Sequence, residues 1–268
     1  MKMSRVRSMS SWVRSAGSME SAAADCSRAS SRRVGTIRPF IVESSYPSQS
    51  WSQVEGPEMP EHDDHPDYLA PYIEALEASG PGFDATLWAS PEGQVRRFDV
   101  LIELGGIGAH RILDVGCGPG DLARRLIEMK VPFTEYIGFD ALEGMVDQAA
   151  AEELPRCRYE VVDVLAHPER MARVEPDFIL VSGTLNAMRE DRAMELMDHA
   201  FEASSRGLVF NFLSNRPHPD RNTCVSPATR FDTVAWLDWA MERTPMVRFS
   251  QSYYQGHDAT IAMFKDVE

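Results

Sequence analysis

The sequence predicts an α/β protein built on a doubly wound, mostly parallel sheet. Three observations carry that prediction. Apolar segments of strand length alternate with amphipathic segments of helical period from residue 111 onward. The first strand-to-helix turn, in residues 111–126 (R-I-L-D-V-G-C-G-P-G-D-L-A-R-R-L), is rich in glycine. Three successive strand segments lead to an aspartate, at Asp114, Asp140 and Asp163. The carboxyl ends of the strands are where open α/β sheets bind their ligands.

At 268 residues and 43% hydrophobic content the chain can bury a sizeable core in one large domain with appendages. No apolar run reaches bilayer-spanning length, so no membrane partner is expected. The net charge of −14 disfavours a broad nucleic-acid-binding face. Cys26, Cys117, Cys157 and Cys224 are scattered and suggest neither a disulfide framework nor a zinc site, which fits a cytoplasmic setting.

Residues 1–60 are expected to be a disordered basic and polar tail and linker. Residues 1–40 carry Lys2, Arg5, Arg7, Arg14, Arg28, Arg32, Arg33 and Arg38 against only Glu20 and Asp25, with too few large apolar side chains to form a core. An organelle leader or an arm for anionic partners are alternatives to a plain tail. No cleavage site or clean amphipathic period supports the former. His62-Asp63-Asp64-His65 resembles a ligand set, but Pro66 disfavours helix there; an acidic lead-in to a helix is the simpler reading, and no metal is expected.

Residues 61–268 are expected to form the functional domain, with a helical cap over 61–106 and the core over 107–268. Leu69, Tyr72, Ile73 and Leu76 recur at helical spacing over 67–79, and Gly80 stops that helix. Ser90 is a good N-cap, with Pro91 at the first helical position and Glu92 in the first turn. A second helix is predicted over 91–104, with Val95, Phe98, Leu101 and Ile102 on its apolar face.

The glycine-rich turn is a ligand cradle: glycine admits positive φ and leaves no Cβ between loop and ligand, and the following helix aims free N–H groups at the same place. A dinucleotide fold calls for G-x-G-x-x-G, with its third glycine at position 121. That position is Asp121, which would repel a pyrophosphate, so a nicotinamide-dependent oxidoreductase is the weaker alternative. The spacing is instead G-x-G-x-G (Gly116, Gly118, Gly120), with Asp114 two residues before the first glycine.

The run L-D-V-G-C-G-P-G resembles the first motif of the Rossmann-like (class I) S-adenosylmethionine-dependent methyltransferases. The resemblance covers roughly residue 87 to the C-terminus and is strongest over 111–164. It implies a seven-stranded sheet whose last strand is antiparallel, and a cofactor, S-adenosyl-L-methionine. It also implies that Asp114, Gly116, Cys117 and Gly118 hold the methionine part. An acid beside a permissive loop suits a ligand that carries an ammonium and a sulfonium but no phosphate.

The next strand segment, Tyr136-Ile137-Gly138-Phe139-Asp140, ends in a carboxylate able to accept from two ribose hydroxyls. In the family this is the second motif, so Asp140 is expected on the ribose, with Ala141 and Leu142 against the adenine. Residues 157–164 (C-R-Y-E-V-V-D-V) alternate toward a third strand, and the resemblance puts Asp163 on the adenine amine and the Val164 N–H on a ring nitrogen. The fourth segment, 176–182, ends at Ser182-Gly183-Thr184-Leu185-Asn186, the edge where the family binds methyl acceptors. Ser182 is counted with the cofactor-binding residues, while Thr184 and Asn186 are either acceptor contacts or ordinary turn residues. The Asn/Asp-Pro-Pro-Tyr/Phe run of enzymes that methylate DNA bases or glutamine is missing here.

The cap helices resemble the variable cap over the cofactor cleft of small-molecule methyltransferases. Trp88, Gln94 and Arg97 lie where it meets cofactor or acceptor, and Arg97 is a candidate partner for the cofactor carboxylate. A helix is predicted over 193–203 and a fifth strand over 207–213. A polar loop over 214–230 reads as a lid. An aromatic helix over 231–241 packs on the sheet or closes an acceptor pocket, and two strands over 246–253 and 259–264 form a closing hairpin.

The expected activity is methyl transfer to a small-molecule acceptor, without nucleic acid. A cofactor-binding protein that has lost its acceptor site is the rival from another class. His218, His257 and Asn186 are the candidates for a general base, and the sequence singles out none of them.

Overall fold

The structure, a computed structural model, describes residues 68–221 and 226–266. The tail, the His62-Asp63-Asp64-His65 run, Cys26 and Cys224 lie outside the described residues. Helix α1 spans Ala70–Ser79, a 3-10 turn covers Phe83–Thr86, and helix α2 spans Pro91–Gly105. The core continues as β1 (His110–Val115), α3 (Asp121–Glu128), β2 (Phe133–Asp140), α4 (Glu143–Ala150), β3 (Cys157–Val161) and α5 (Glu169–Arg173). Then follow β4 (Phe178–Val181), a 3-10 turn at Thr184–Ala187, α6 (Glu190–Ala203), β5 (Gly207–Leu213), α7 (Thr233–Arg243), β6 (Val247–Ser250) and β7 (Asp258–Phe264).

The strands form one seven-stranded sheet in the order β3-β2-β1-β4-β5-β7-β6. β1 to β5 pair in parallel, and β7 runs antiparallel to both β5 and β6. This is the doubly wound sheet with an antiparallel last strand that the sequence predicts. Every residue of β4 and β5 is buried, which is why β4 reads as an unbroken apolar run and β5 as one interrupted only by Asn211. One core cluster, containing Leu113, Ile137, Ile179, Phe210 and Trp236, fills one face of the sheet. The other, containing Phe98, Leu101, Ile112, Leu122 and Leu180, packs α2 and α3 against the opposite face.

Local chemistry sets the element ends. β3 stops at Val161 rather than running to 164, because the Asp163 carboxylate accepts from the N–H groups of Leu165 and Ala166 (3.0 and 3.2 Å) and turns the chain. α2 starts at Pro91 with the Ser90 hydroxyl accepting from Gly93 N (3.0 Å), as predicted, and Gly106 ends it in the left-handed region. α6 begins earlier than its apolar period suggests, at Glu190-Asp191, two acids that suit a helix N-terminus. Trp236 of α7 is fully buried between Phe210, Phe212 and Phe231, so this helix packs on the sheet. The described part of the 214–230 loop lies along the start of β7, with Ser214 N donating to His257 O and His218 N to Gln255 O. No helix among the described residues is long and apolar enough to cross a membrane.

Candidate functional site: the cavity at the carboxyl ends of the parallel strands

β1 delivers Asp114 into a position only 3% exposed, where the Tyr136 hydroxyl of β2 donates to its carboxylate. Burial pushes the Asp114 pKa up to about 7; the Tyr136 hydrogen bond opposes this and nearby Asp140 adds to it. The same burial raises the Tyr136 phenol well above its ordinary value, helped by the Asp114 charge.

The turn that follows is zipped to the β2 tip. Gly116 N and Cys117 N both donate to Phe139 O (2.8 and 3.0 Å). The Asp140 carboxylate accepts from Gly118 N through one oxygen (2.9 Å) and from Leu142 N through the other (3.0 Å). Burial raises the Asp140 pKa, against the pull of the Leu142, Gly118 and Ala141 N–H groups.

The glycines of the turn serve different ends. A Cβ on Gly116 would collide with the side chain of Thr184, whose hydroxyl donates to Val115 O (2.9 Å), so this glycine lets the β4 edge close on β1. Gly118 has φ +54 and no neighbour nearer than Thr86 Cγ2 at 3.7 Å, so its missing Cβ leaves room for a ligand.

Asp121, the residue that excludes a dinucleotide motif, sits in the first turn of α3. One carboxylate oxygen accepts from Gln94 Nε2 (2.8 Å) and the other from Arg124. The first turn of α3, where a phosphate would sit, thus carries an acid of the protein itself.

Together these tips bound a cavity beneath the cap. Asp114, Gly116, Cys117, Gly118, Asp140, Ala141, Val164 and Ser182 all line it. Its roof comes from the cap, through Tyr68, Tyr72, Thr86, Trp88 and Phe98. Among the described residues no lysine, arginine or histidine lines the cavity.

Two residues singled out by sequence are placed elsewhere. Arg97 does not line the cavity: its Nε bonds Asp258 Oδ1 (2.6 Å), and its guanidinium lies between Trp88 and Tyr254, 4.7 and 5.4 Å from their ring centres. β7 supplies an acid that sequence reading could not bring 161 positions back to α2. Asp163 lies behind the cavity wall, with Oδ1 accepting from the Tyr68 hydroxyl (2.6 Å) as well as from its own turn.

The candidate bases are likewise outside the lining. His218 is exposed beside Asp220, His257 Nδ1 lies 3.2 Å from Asp258 Oδ2, and Asn186 offers its carbonyl to Thr229 N (2.8 Å). Sequence reading missed Tyr68 and Tyr136, whose roles depend on partners 95 and 22 residues away. It also missed Asn211, although one amide inside the apolar run L-V-F-N-F-L is a visible signal.

A family model described as a methyltransferase domain matches residues 112–207, the stretch holding the glycine turn and all three aspartates. No sequence among the curated proteins matches this chain. Solved structures share the fold at low identity. Magnesium protoporphyrin IX methyltransferase from Synechocystis PCC 6803 with bound SAM is 14% identical, with a TM-score of 0.53 over 76% of this chain and 100% of that one. The small RNA methyltransferase HEN1 is 16% identical, with a TM-score of 0.55 over 71% of this chain and 27% of that one. A SAM-dependent methyltransferase from Archaeoglobus fulgidus is 14% identical, with a TM-score of 0.52 over 66% of this chain and 95% of that one. The glycine turn, the sheet order and the methyltransferase-domain match over residues 112–207 agree with one another, and the chain shares the fold of these solved methyltransferases.

Proposed function

We propose that the chain methylates a small-molecule acceptor held beneath α1 and α2. The observation that carries this reading is the lining of the cavity: an acidic floor at the strand tips under an aromatic roof. The residues present fit S-adenosyl-L-methionine. Gly118 opens onto the cavity where a Cβ would intrude, and the lining acids suit a ligand with two positive centres.

Asp140 has acceptor capacity left beyond its two backbone donors, enough for the ribose hydroxyls. Asp114 would take the ammonium, and that cation would favour its ionised form against the burial that raises its pKa. Leu142, Met145, Val162 and Val164 give the adenine an apolar slot. The cofactor, when bound, supplies a methyl group already activated by its sulfonium. The protein's part is then to align the acceptor and exclude water, which Tyr68, Tyr72, Trp88 and Phe98 do by closing the roof. The acidic balance of the chain argues for a small molecule over a nucleic acid, whose phosphates would be repelled.

Calorimetry with S-adenosyl-L-methionine and with NAD tests the cofactor. Only the former should bind, and Asp140→Ala should lose at least about tenfold in affinity, the order of one or two charged hydrogen bonds. Transfer of radiolabelled methyl groups over a library of small molecules, with an RNA arm alongside, tests the acceptor. Labelling of RNA and of no small molecule would overturn the reading.

A further inference from the structure

The floor of the cavity holds a polar row that its acids do not explain. Asn211 stands in the middle of β5 and is 1% exposed, among Phe210, Phe212 and Val209, which are buried as well. A buried amide is costly unless bonded. Its Oδ1 accepts from Gly183 N (3.0 Å) and its Nδ2 donates to Ser182 Oγ (2.8 Å). The orientation of the amide is not a free choice. Gly183 N–H is a donor, so the oxygen must face it, and the NH2 must therefore face Ser182.

That arrangement has a consequence for Ser182. Its oxygen is already an acceptor, so its own proton is left to point away from Asn211, and the residue lines the cavity. Among the described residues Ser182 Oγ has no other hydrogen-bond partner. The hydroxyl just past the end of β4 is therefore free to donate, on a residue that lines the cavity.

S-adenosyl-L-methionine has a single anionic group, its carboxylate. The cavity lining holds no lysine, arginine or histidine among the described residues and is otherwise acidic at Asp114, Asp121 and Asp140. Arg97, the nearest candidate cation by sequence, is engaged by Asp258 outside the lining. Among the described residues, then, only neutral donors are left to receive the carboxylate.

We infer that Asn211 is a positioning residue: it fixes Ser182 as a hydrogen-bond donor for the cofactor carboxylate, in place of a cationic side chain. The inference rests on the cofactor reading above. It assigns Asn211 no contact with the cofactor; the amide acts only through Ser182. Asn211→Asp, assayed above the pH at which its buried carboxyl ionises, keeps the shape and the acceptor for Gly183 N–H but puts an acceptor where the NH2 stood, so the Ser182 proton turns inward and the cavity loses its donor.

The test is calorimetry on the full chain with two probes, S-adenosyl-L-methionine and its decarboxylated analogue, which keeps both positive centres and lacks the anion. The parent should prefer the carboxylated form. Asn211→Asp and Ser182→Ala should each weaken binding of that form by about tenfold, the order of one hydrogen bond to a charged group. The double variant should lose no more than either alone, because both act through one hydroxyl. Affinity for the decarboxylated analogue should stay within about twofold throughout.

Equal loss for both probes, additive losses, or no loss in Asn211→Asp would overturn the inference. Should Asn211→Asp fail to fold, Ser182→Ala leaves the buried strand untouched and must show the same selective loss for the inference to stand. A parent that bound neither probe would sink the cofactor reading as well. A parent that bound both equally would sink this inference alone.

Discussion

Helices α1 and α2 both stand over the cavity, yet they are attached to the protein in different ways. α2 buries Phe98, Val100, Leu101 and Ile102 against the sheet, is capped by Ser90, and is pinned to β7 by Arg97 and Asp258. α1 has no buried residue and no side-chain N-cap. Its ties include the 3-10 turn at Phe83–Thr86, the Tyr68 hydroxyl on Asp163 just before its first turn, and the contact of Leu76 with Gly144 of α4 (3.4 Å from the position of a Cβ). The difference teaches which part of the roof is scaffold and which is door. A ligand as large as a nucleoside needs a way in, and the path of least resistance lifts α1 while α2 stays with the body of the fold.

The largest effect should come from breaking the tie on the scaffold side. Arg97→Ala leaves the Asp258 carboxylate buried with only His257 beside it, and loss of one partner of a buried ion pair costs about 3–5 kcal/mol. Urea unfolding should show that as a lower midpoint with an unchanged slope. A smaller effect would mean that α2 is held by its apolar face alone.

Hydrogen exchange reads the contrast directly. The amides of α1 should exchange through local opening at least about a hundredfold faster than the central amides of α2, which should open only with the whole domain. Equal protection in the two helices would end the comparison.

The floor beneath both helices gives the third test, through pH. Folded Asp114 keeps its proton up to about 7, whereas an unfolded aspartate releases it near 3.9. Between those values the folded state binds more protons, so this residue's contribution to stability declines as pH rises from about 4 to about 7 and is level above. Asp114→Asn should remove that decline, which urea midpoints at pH 5 and pH 8 will show. Added S-adenosyl-L-methionine should offset the decline in the parent by favouring the carboxylate.

The smallest change concerns the door itself. Tyr68→Phe removes one hydroxyl from Asp163, which keeps its bonds from Leu165 N and Ala166 N. Stability should fall by no more than about 1 kcal/mol. Cofactor release should nonetheless speed up severalfold in stopped-flow measurements, because the lost bond ties the start of α1 to the turn after β3. An unchanged release rate would place the door elsewhere.

How far the chain could be read in one dimension follows from the reach of each interaction. Asp114, the glycine turn and Asp140 lie on a strand, a tight turn and the next strand, so their period, spacing and backbone chemistry are written within about thirty positions. The sheet type is legible for the same reason: β4 is a continuous apolar run, and β5 one broken only by Asn211, because both their faces are covered.

Distance along the chain is what hid the rest. Arg97 looks like a free cation until β7 brings Asp258 to it, and Asp163 looks like a strand tip until its own turn and Tyr68 claim it. Asn211 carries meaning only because parallel pairing sets β5 beside β4, where Gly183 fixes which way its amide points. The sequence by itself determined the fold class and the glycine-and-acid cradle, since local backbone preferences and hydrophobic period suffice for both. Only the tertiary structure decided which charges are already paired, which helix of the cap is anchored, and which hydroxyl is left to donate, because each depends on a partner that folding alone brings within hydrogen-bond reach.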